Sequence, residues 1–416
     1  MEKNKGHDQI ARQLSLLERG HSRRDFMKIA AMGYLGFLGL GCHKGYADPV
    51  RPQVLIADSH ELLAMAPVSR GTSGEEIISR SRRVAEAATD FSWLSRNDTV
   101  FIKLASNSAN TYPSTTSPLA VRAMVGLLMK KGAGKVLVGD KPGVQSVYQD
   151  EKGQKGAGRD ILRRNGLYQA ALESGAEIFT FDEADYDAYF PDHTVKGSHW
   201  KSDLMLPNIL NQVDHVVLLP RVSRHVLAGT TLGLKAAVGW LRDDSRLELH
   251  RDARSFFEKT AEINDARVLK QKLRLVLSVA TKVQTTFGPD KGFVSEPDPG
   301  LVFASESLLA HDMVSLGWLL WNRDHATPKG QLSWFRDPYV TYPGIMNRMF
   351  VASIWGMEAL LRSETYGTTP ILSVQTDPVI ARAASMWGGL PRLEWVEVDG
   401  RVPEKITTYL REKATS

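Results

Sequence analysis

Short apolar, β-branched runs alternate along this chain with longer stretches of helical periodicity, and that alternation leaves few architectures open. Val54 to Ala57, Val100 to Leu104, Val136 to Val138, Val216 to Leu219, Leu273 to Val279 and Leu301 to Phe303 read as buried strands. Glu75 to Ala88, Leu119 to Lys131, Asp160 to Ser174 and Leu308 to Trp321 read as helices between them. In Leu119 to Lys131 the apolar residues Val121, Met124, Val125, Leu128 and Met129 share one face, with Pro118 suited to the first helical position and Ser117 to the N-cap. The pattern predicts an α/β fold, a mostly parallel sheet flanked by helices. From Asp324 to Pro343 the breakers Pro328, Gly330, Pro338 and Pro343 read as loop. A helix near Met346 to Leu361 and a final helix, strand and helix follow, read as a smaller C-terminal appendage.

The N-terminus reads as a targeting segment rather than as part of the fold. Ser22-Arg23-Arg24-Asp25-Phe26-Met27-Lys28 sets an arginine pair before a bulky apolar residue and a lysine, and 13 uncharged residues follow, Ile29 to Gly41. This order resembles a twin-arginine signal, which predicts passage through the twin-arginine export machinery to the periplasm. The run is too short and glycine-rich for a comfortable membrane span, which needs roughly 20 apolar residues. Gly45-Tyr46-Ala47 suits cleavage by signal peptidase, and Gly41-Cys42 resembles the end of a lipoprotein box with Gly39 where leucine is expected. Cleavage after Ala47 releases a soluble protein; cleavage before Cys42 leaves a lipid anchor. The expected divisions are a signal at 1–47, an α/β core at 48–323, and a C-terminal subdomain or core extension at 324–416.

Cys42 is the sole cysteine. It excludes an intramolecular disulfide, a cysteine-ligated iron–sulfur cluster and a four-cysteine zinc site. The formal charge of +5 belongs mostly to the signal. Taking away its eight basic and four acidic residues leaves 44 against 43, and no basic, aromatic-interleaved stretch supports nucleic-acid binding. No later segment is long and apolar enough to span a membrane.

In open parallel sheets ligands bind beyond the carboxyl ends of the strands, so the polar residues there are the candidates. After Val100 to Ile102 come Lys103, Ser106, Asn107, Ser108 and Asn110, and Thr115-Thr116-Ser117-Pro118 opens a helix whose free N–H groups suit an anion. Asp140 follows the next strand and could orient a ligand hydroxyl, a metal-bound water or a histidine. After Val216 to Leu219 come Arg221, Arg224, His225 and Gly229-Thr230-Thr231-Leu232-Gly233-Leu234-Lys235. These glycines, hydroxyls and cations suit a carboxylate or a phosphate, although the spacing is not that of a P-loop. His225 could be a general base, a metal ligand or a ligand-orienting donor. Arg246, His250 and Arg251 form a further polar cluster, Gly288 to Gly292 a tight loop, and Asp312 could face the sheet end. His225 and His250 are the candidate metal ligands.

Taken in order, these pieces resemble proteins carrying domain of unknown function 362. The matching residues are Ile102-Lys103, Asn107, Thr116 to Pro118, Val138 to Asp140, Leu219-Pro220, His225, Thr230 to Lys235, Gly239, His250, Gly288-Pro289 and Leu309 to Asp312. They span roughly residues 98–323. Many members carry cysteine-rich ferredoxin-like segments, which this chain lacks. The family is also similar to lactate-racemase-like enzymes that use a nickel cofactor, through Asp214, His225, Gly229 to Thr231 and Lys235. The export signal and the sheet-end residues leave two readings: an exported enzyme acting on a small anion, with metal or cofactor loaded before export, or a non-catalytic anion- or metal-binding protein. In the first case Lys103, Arg224 and Lys235 would bind the anion, His225 would be acid–base or metal ligand, and Asp140 or Asp312 would orient it.

Overall fold

The computed structural model describes residues 54–192, 197–332, 343–364 and 371–415. The expected signal segment, Cys42, both expected cleavage sites and Pro338 lie outside the described residues. Eight strands form the central sheet: β1 (Ile56–Val68), β2 (Thr99–Leu104), β3 (Lys135–Gly139), β4 (Glu177–Ile178), β5 (His215–Leu219), β6 (Leu273–Ala280), β7 (Gly300–Ser305) and β8 (Leu390–Glu397). Their order is β8-β1-β7-β6-β5-β2-β3-β4. All neighbours run parallel except β7, which pairs antiparallel with both β1 and β6. The fold is therefore the α/β class the alternation implies, with one reversed strand inside an otherwise parallel sheet. Among the described residues no helix is long and apolar enough to cross a membrane.

Helices cover both faces because strand side chains alternate in direction. Ala64, Ala66, Val100, Ile102 and Val217 pack against α1 (Gly74–Ala88), α2 (Pro118–Lys131) and the neighbouring short helices α3 (Gly158–Asn165) and α4 (Leu167–Glu173). Leu63, Met65, Val276 and Phe303 face the other way. There they meet α8 (Leu308–Ala326), α9 (Pro378–Met386) and α10 (Glu404–Thr415). Burying an aromatic or leucine side chain of this kind contributes about 2–3 kcal/mol each. On that same side, towards β3, Phe101, Phe181 and Trp240 stack over the end of α6 (Asp243–Arg251) and α7 (Phe256–Glu262).

Local sequence explains the boundaries. Ser73 caps α1 by accepting from Glu76 N at 3.2 Å. Ser307 caps α8 by accepting from Ala310 N at 3.3 Å. Ser117 stands at the N-cap of α2 with Pro118 at the first turn, yet its hydroxyl makes no capping bond. The helix read over Asp160 to Ser174 is two, broken at Gly166, whose φ of +86° suits glycine. Strand β1 runs far past Ala57, to Val68: Asp58 to His60 are polar because that stretch is exposed where it pairs with β8.

A second, four-stranded sheet sits beyond the carboxyl end of β5. Its strand order is Gly229–Thr231, Ser223–His225, Val283–Gln284, Val294–Ser295. It carries the Arg224 and Thr230 region over the end of the main sheet, followed by the short helix α5 (Gly233–Ala236).

Candidate functional site

Three chain segments meet where β2, β3 and β5 end. They enclose a cavity of about 80 Å³ lined by Ser106, Asn107, Asp140, Lys141, Arg221, His225, Thr231, Lys235 and Arg246, with Gly143 and Gly239 in its wall. That volume suits a small anion or a few waters. A larger hollow of about 230 Å³, walled by Val216, Leu218, Trp240, Leu273 and Trp387, holds none of the candidate residues.

Beneath the cavity lies a buried ion pair. Lys103 is the last inward-facing residue but one of β2; its Nζ is 2.5 Å from Asp140 Oδ1 and also donates to Leu104 O at 2.8 Å. Asp140 further accepts from Ser106 N at 2.6 Å and Lys141 N at 2.8 Å. Burial pushes the Lys103 ammonium down and the Asp140 carboxyl up, and each is opposed by the other's charge. Gly239 lies against this pair: a Cβ there would sit 2.4 Å from both Asp140 Oδ1 and Lys103 Nζ. A second buried pair, Lys141 Nζ to Asp243 Oδ2 at 2.7 Å, flanks it, with Gln149 N donating to the same oxygen at 2.7 Å. Burial brings Lys141 down to about 8, against the pull of Asp243. Asp243 and Arg246 are three apart on α6 and so share one face. Arg246 donates to the carbonyls of Lys141, Pro142, Gly239 and Leu241.

The remaining lining groups each carry a donor atom that meets no acceptor among the described residues. Lys235 has no hydrogen-bond or ion-pair partner among the described residues. Burial, then Arg221, Arg246 and Lys103, bring its amine down to about 7, with Asp140 pulling weakly the other way. Arg221 is anchored by Nη1 on Ser114 O and Pro289 O, while its buried Nε–H meets no acceptor. Burial lowers this guanidinium to about 10. Thr231 Oγ1 is likewise buried and unpartnered. His225 Nδ1 accepts from Leu227 N and Ala228 N, both at 3.1 Å. That places the ring proton on Nε2. Burial, Lys235 and Arg221 hold the ring well below its ordinary value, so it is a neutral donor.

The other candidates, Asn107 excepted, stand apart from the cavity. Thr116 Oγ1 bridges Ala105 N and Leu219 O, tying β2 to β5. Ser117 is buried at the N-cap. Asn107 lines the cavity and donates to Asp290 at 3.1 Å, where Ser108 Oγ also bonds at 2.6 Å. Arg224 donates to Gly229 O at 3.4 Å within the small sheet, and Thr230 pairs across from it. Asp312 accepts from Gly233 N and Leu234 N, both at 2.7 Å, and so caps α5 just before Lys235. His311 links it to Ser278. His250 is buried among Phe256, Phe350 and Trp355, where burial drops it to about 3. It does not line the cavity. Among the described residues no group of three or more His, Cys, Asp or Glu is placed to hold a metal ion. With Nδ1 of His225 given to the backbone, the residues present do not make a metal-binding set, and no chemistry below is routed through one. Asp243, the partner of Lys141, is the cavity-edge residue the sequence did not single out.

The sequence profile of the domain of unknown function (DUF362) matches residues 100–317. The chain belongs to the DUF362 family. The matched span contains every residue that lines the cavity. No curated protein matches. Solved structures with distant similarity include two of bacterial proteins. A protein from Thermotoga maritima shares 11% identity over 59% of this chain and 58% of its own, with a TM-score of 0.38. The lactate racemase apoprotein from Thermoanaerobacterium thermosaccharolyticum shares 13% identity over 83% and 85%, also at 0.38. The DUF362 chain thus spans less than two thirds of the Thermotoga protein.

Proposed function

We propose that this DUF362 protein is exported by the twin-arginine route and binds a small carboxylate or phosphate in the cavity at the end of β2, β3 and β5. The observation that carries the reading is a set of cavity-lining donors with no acceptor among the described residues: Arg221 Nε and Thr231 Oγ1, both buried, with the partly buried Lys235 Nζ and His225 Nε2. Buried polar groups are ordinarily satisfied, and cations without acidic partners call for an anion. Lys103 acts indirectly, through the Asp140 pair that shapes the cavity floor. Arg224, Thr116 and Asp312 act as supports rather than as ligand contacts.

His225 as a fixed neutral donor matches the ligand-orienting role among those open to it. Asp140 is engaged by three donors, which removes it as a proton acceptor. Lys141, brought down to about 8, is held on Asp243, which leaves Lys235 as the cavity lysine without an ion pair among the described residues and with acid–base capacity near neutral pH; this favours an enzyme over a passive carrier. Isothermal calorimetry with inorganic phosphate and with acetate tests the site. One charge-assisted bond is worth about 1.5–3 kcal/mol, so Lys235→Met should weaken binding roughly tenfold to a hundredfold. Equal affinity in the variant would place the anion elsewhere.

A further inference from the structure

We infer that Lys235 is a nucleophile, forming an imine with a small 2-oxo acid whose carboxylate is held by Arg221, His225 and Thr231. The inference rests on the anion site proposed above and names its substrate class. The neighbouring lysines, Lys103 and Lys141, each hold an ion pair and a hydrogen bond to an aspartate. Lys235 has neither among the described residues. It shares the cavity with other donors sufficient for a carboxylate: Arg221 Nε, Thr231 Oγ1 and His225 Nε2. A carboxylate offers about four lone-pair sites, so these donors can satisfy it without drawing on the amine. The carbonyl next to that carboxylate then lies in the part of the cavity that Lys235 lines.

The surrounding cations supply the second requirement. Only an unprotonated amine attacks a carbonyl, and lysines placed beside other cations are activated in this way. Arg221, Arg246 and Lys103 surround Lys235, with Asp140 already committed, and the amine is brought down to about 7. Asp312 fixes the approach by bonding Gly233 N and Leu234 N at the start of α5. The step is balanced without a co-reactant. The amine nitrogen bonds to the carbonyl carbon, the carbon–oxygen bond breaks, the oxygen leaves as water with the two amine hydrogens, and C=N replaces C=O. Nothing is oxidised or reduced.

The test is reductive trapping of the full-length protein with pyruvate and sodium cyanoborohydride, read by intact mass and peptide mapping, beside calorimetry with inorganic phosphate. The expected result is one reduced adduct per chain, on Lys235, suppressed by excess phosphate and lost in Lys235→Arg. Mapping the wild-type adduct decides the matter even if the variant misfolds. Phosphate binding with no adduct, or with adducts scattered over surface lysines, overturns the nucleophile and leaves the anion site standing. Neither binding nor trapping overturns both.

Discussion

Lys235 and Lys103 show how one residue type is set to two tasks by its neighbours. Lys103 has Asp140 at 2.5 Å, and breaking that buried pair by Asp140→Asn should cost about 3–5 kcal/mol, measured by urea unfolding. The double change with Lys103→Met should cost less than the sum of the two singles, because no charge is then left buried alone. Lys235 has no such partner, and its behaviour should follow pH. Its folded value of about 7 lies below the ordinary lysine value, as does that of Lys141 at about 8. Between these values and the unfolded one the unfolded chain holds more protons, so the ligand-free fold should gain stability as pH rises from 7 to 9. Thermal melts at the two values check this; a loss of stability over that window would contradict it. An anion raises Lys235, so phosphate binding should take up a proton and weaken by about tenfold per pH unit above 7. Calorimetry in buffers of different ionisation heat measures that uptake directly.

Lys103 and Lys235 were legible in the sequence, because a cation at the end of an apolar run has few reasons to be there other than pairing or binding. Lys141 and its partner were not. Asp243 lies 102 residues from Lys141, and nothing local marks it. The tautomer of His225 depends on two backbone N–H groups that only the folded turn brings to Nδ1. Thr116 reads in the sequence as a ligand contact and Asp312 as the group that orients His225, because hydroxyls and carboxylates at strand ends look alike whether they meet a ligand, orient a side chain or cap the backbone.

At the scale of elements, α5 is four residues long and cannot hold its place by its own hydrogen bonds. Its position comes from Asp312 on α8. Asp312→Ala leaves two buried N–H groups without acceptors and should cost on the order of 3 kcal/mol, while weakening phosphate binding through displacement of Lys235. Unchanged stability with lost binding would instead make Asp312 a direct contact. The element pattern was the most readable feature of the sequence: β2, β3, β5 and β6 begin and end within a residue of the expected bounds. Failures came where pattern and environment part. The polar start of β1 is an exposed stretch against β8, and the reversed β7 reads like its parallel neighbours, since both are buried on two faces.

For the whole molecule, β8 extends the main sheet and α10 covers α8, so the C-terminal residues complete the same core that carries the cavity. Ending the chain before Leu390 would bare the β1 edge and the α8 face, and should yield aggregation in place of a cooperative melt. The proposed export route is tested separately: Arg23→Lys with Arg24→Lys should hold the protein in the cytoplasm, followed by cell fractionation. The central claim is the anion site, and the most direct measurement is anomalous diffraction from crystals soaked in selenate near pH 6. A selenium peak is expected within hydrogen-bond reach of Lys235, Arg221 and His225. Selenate bound at other sites, with the cavity holding only water, would contradict it.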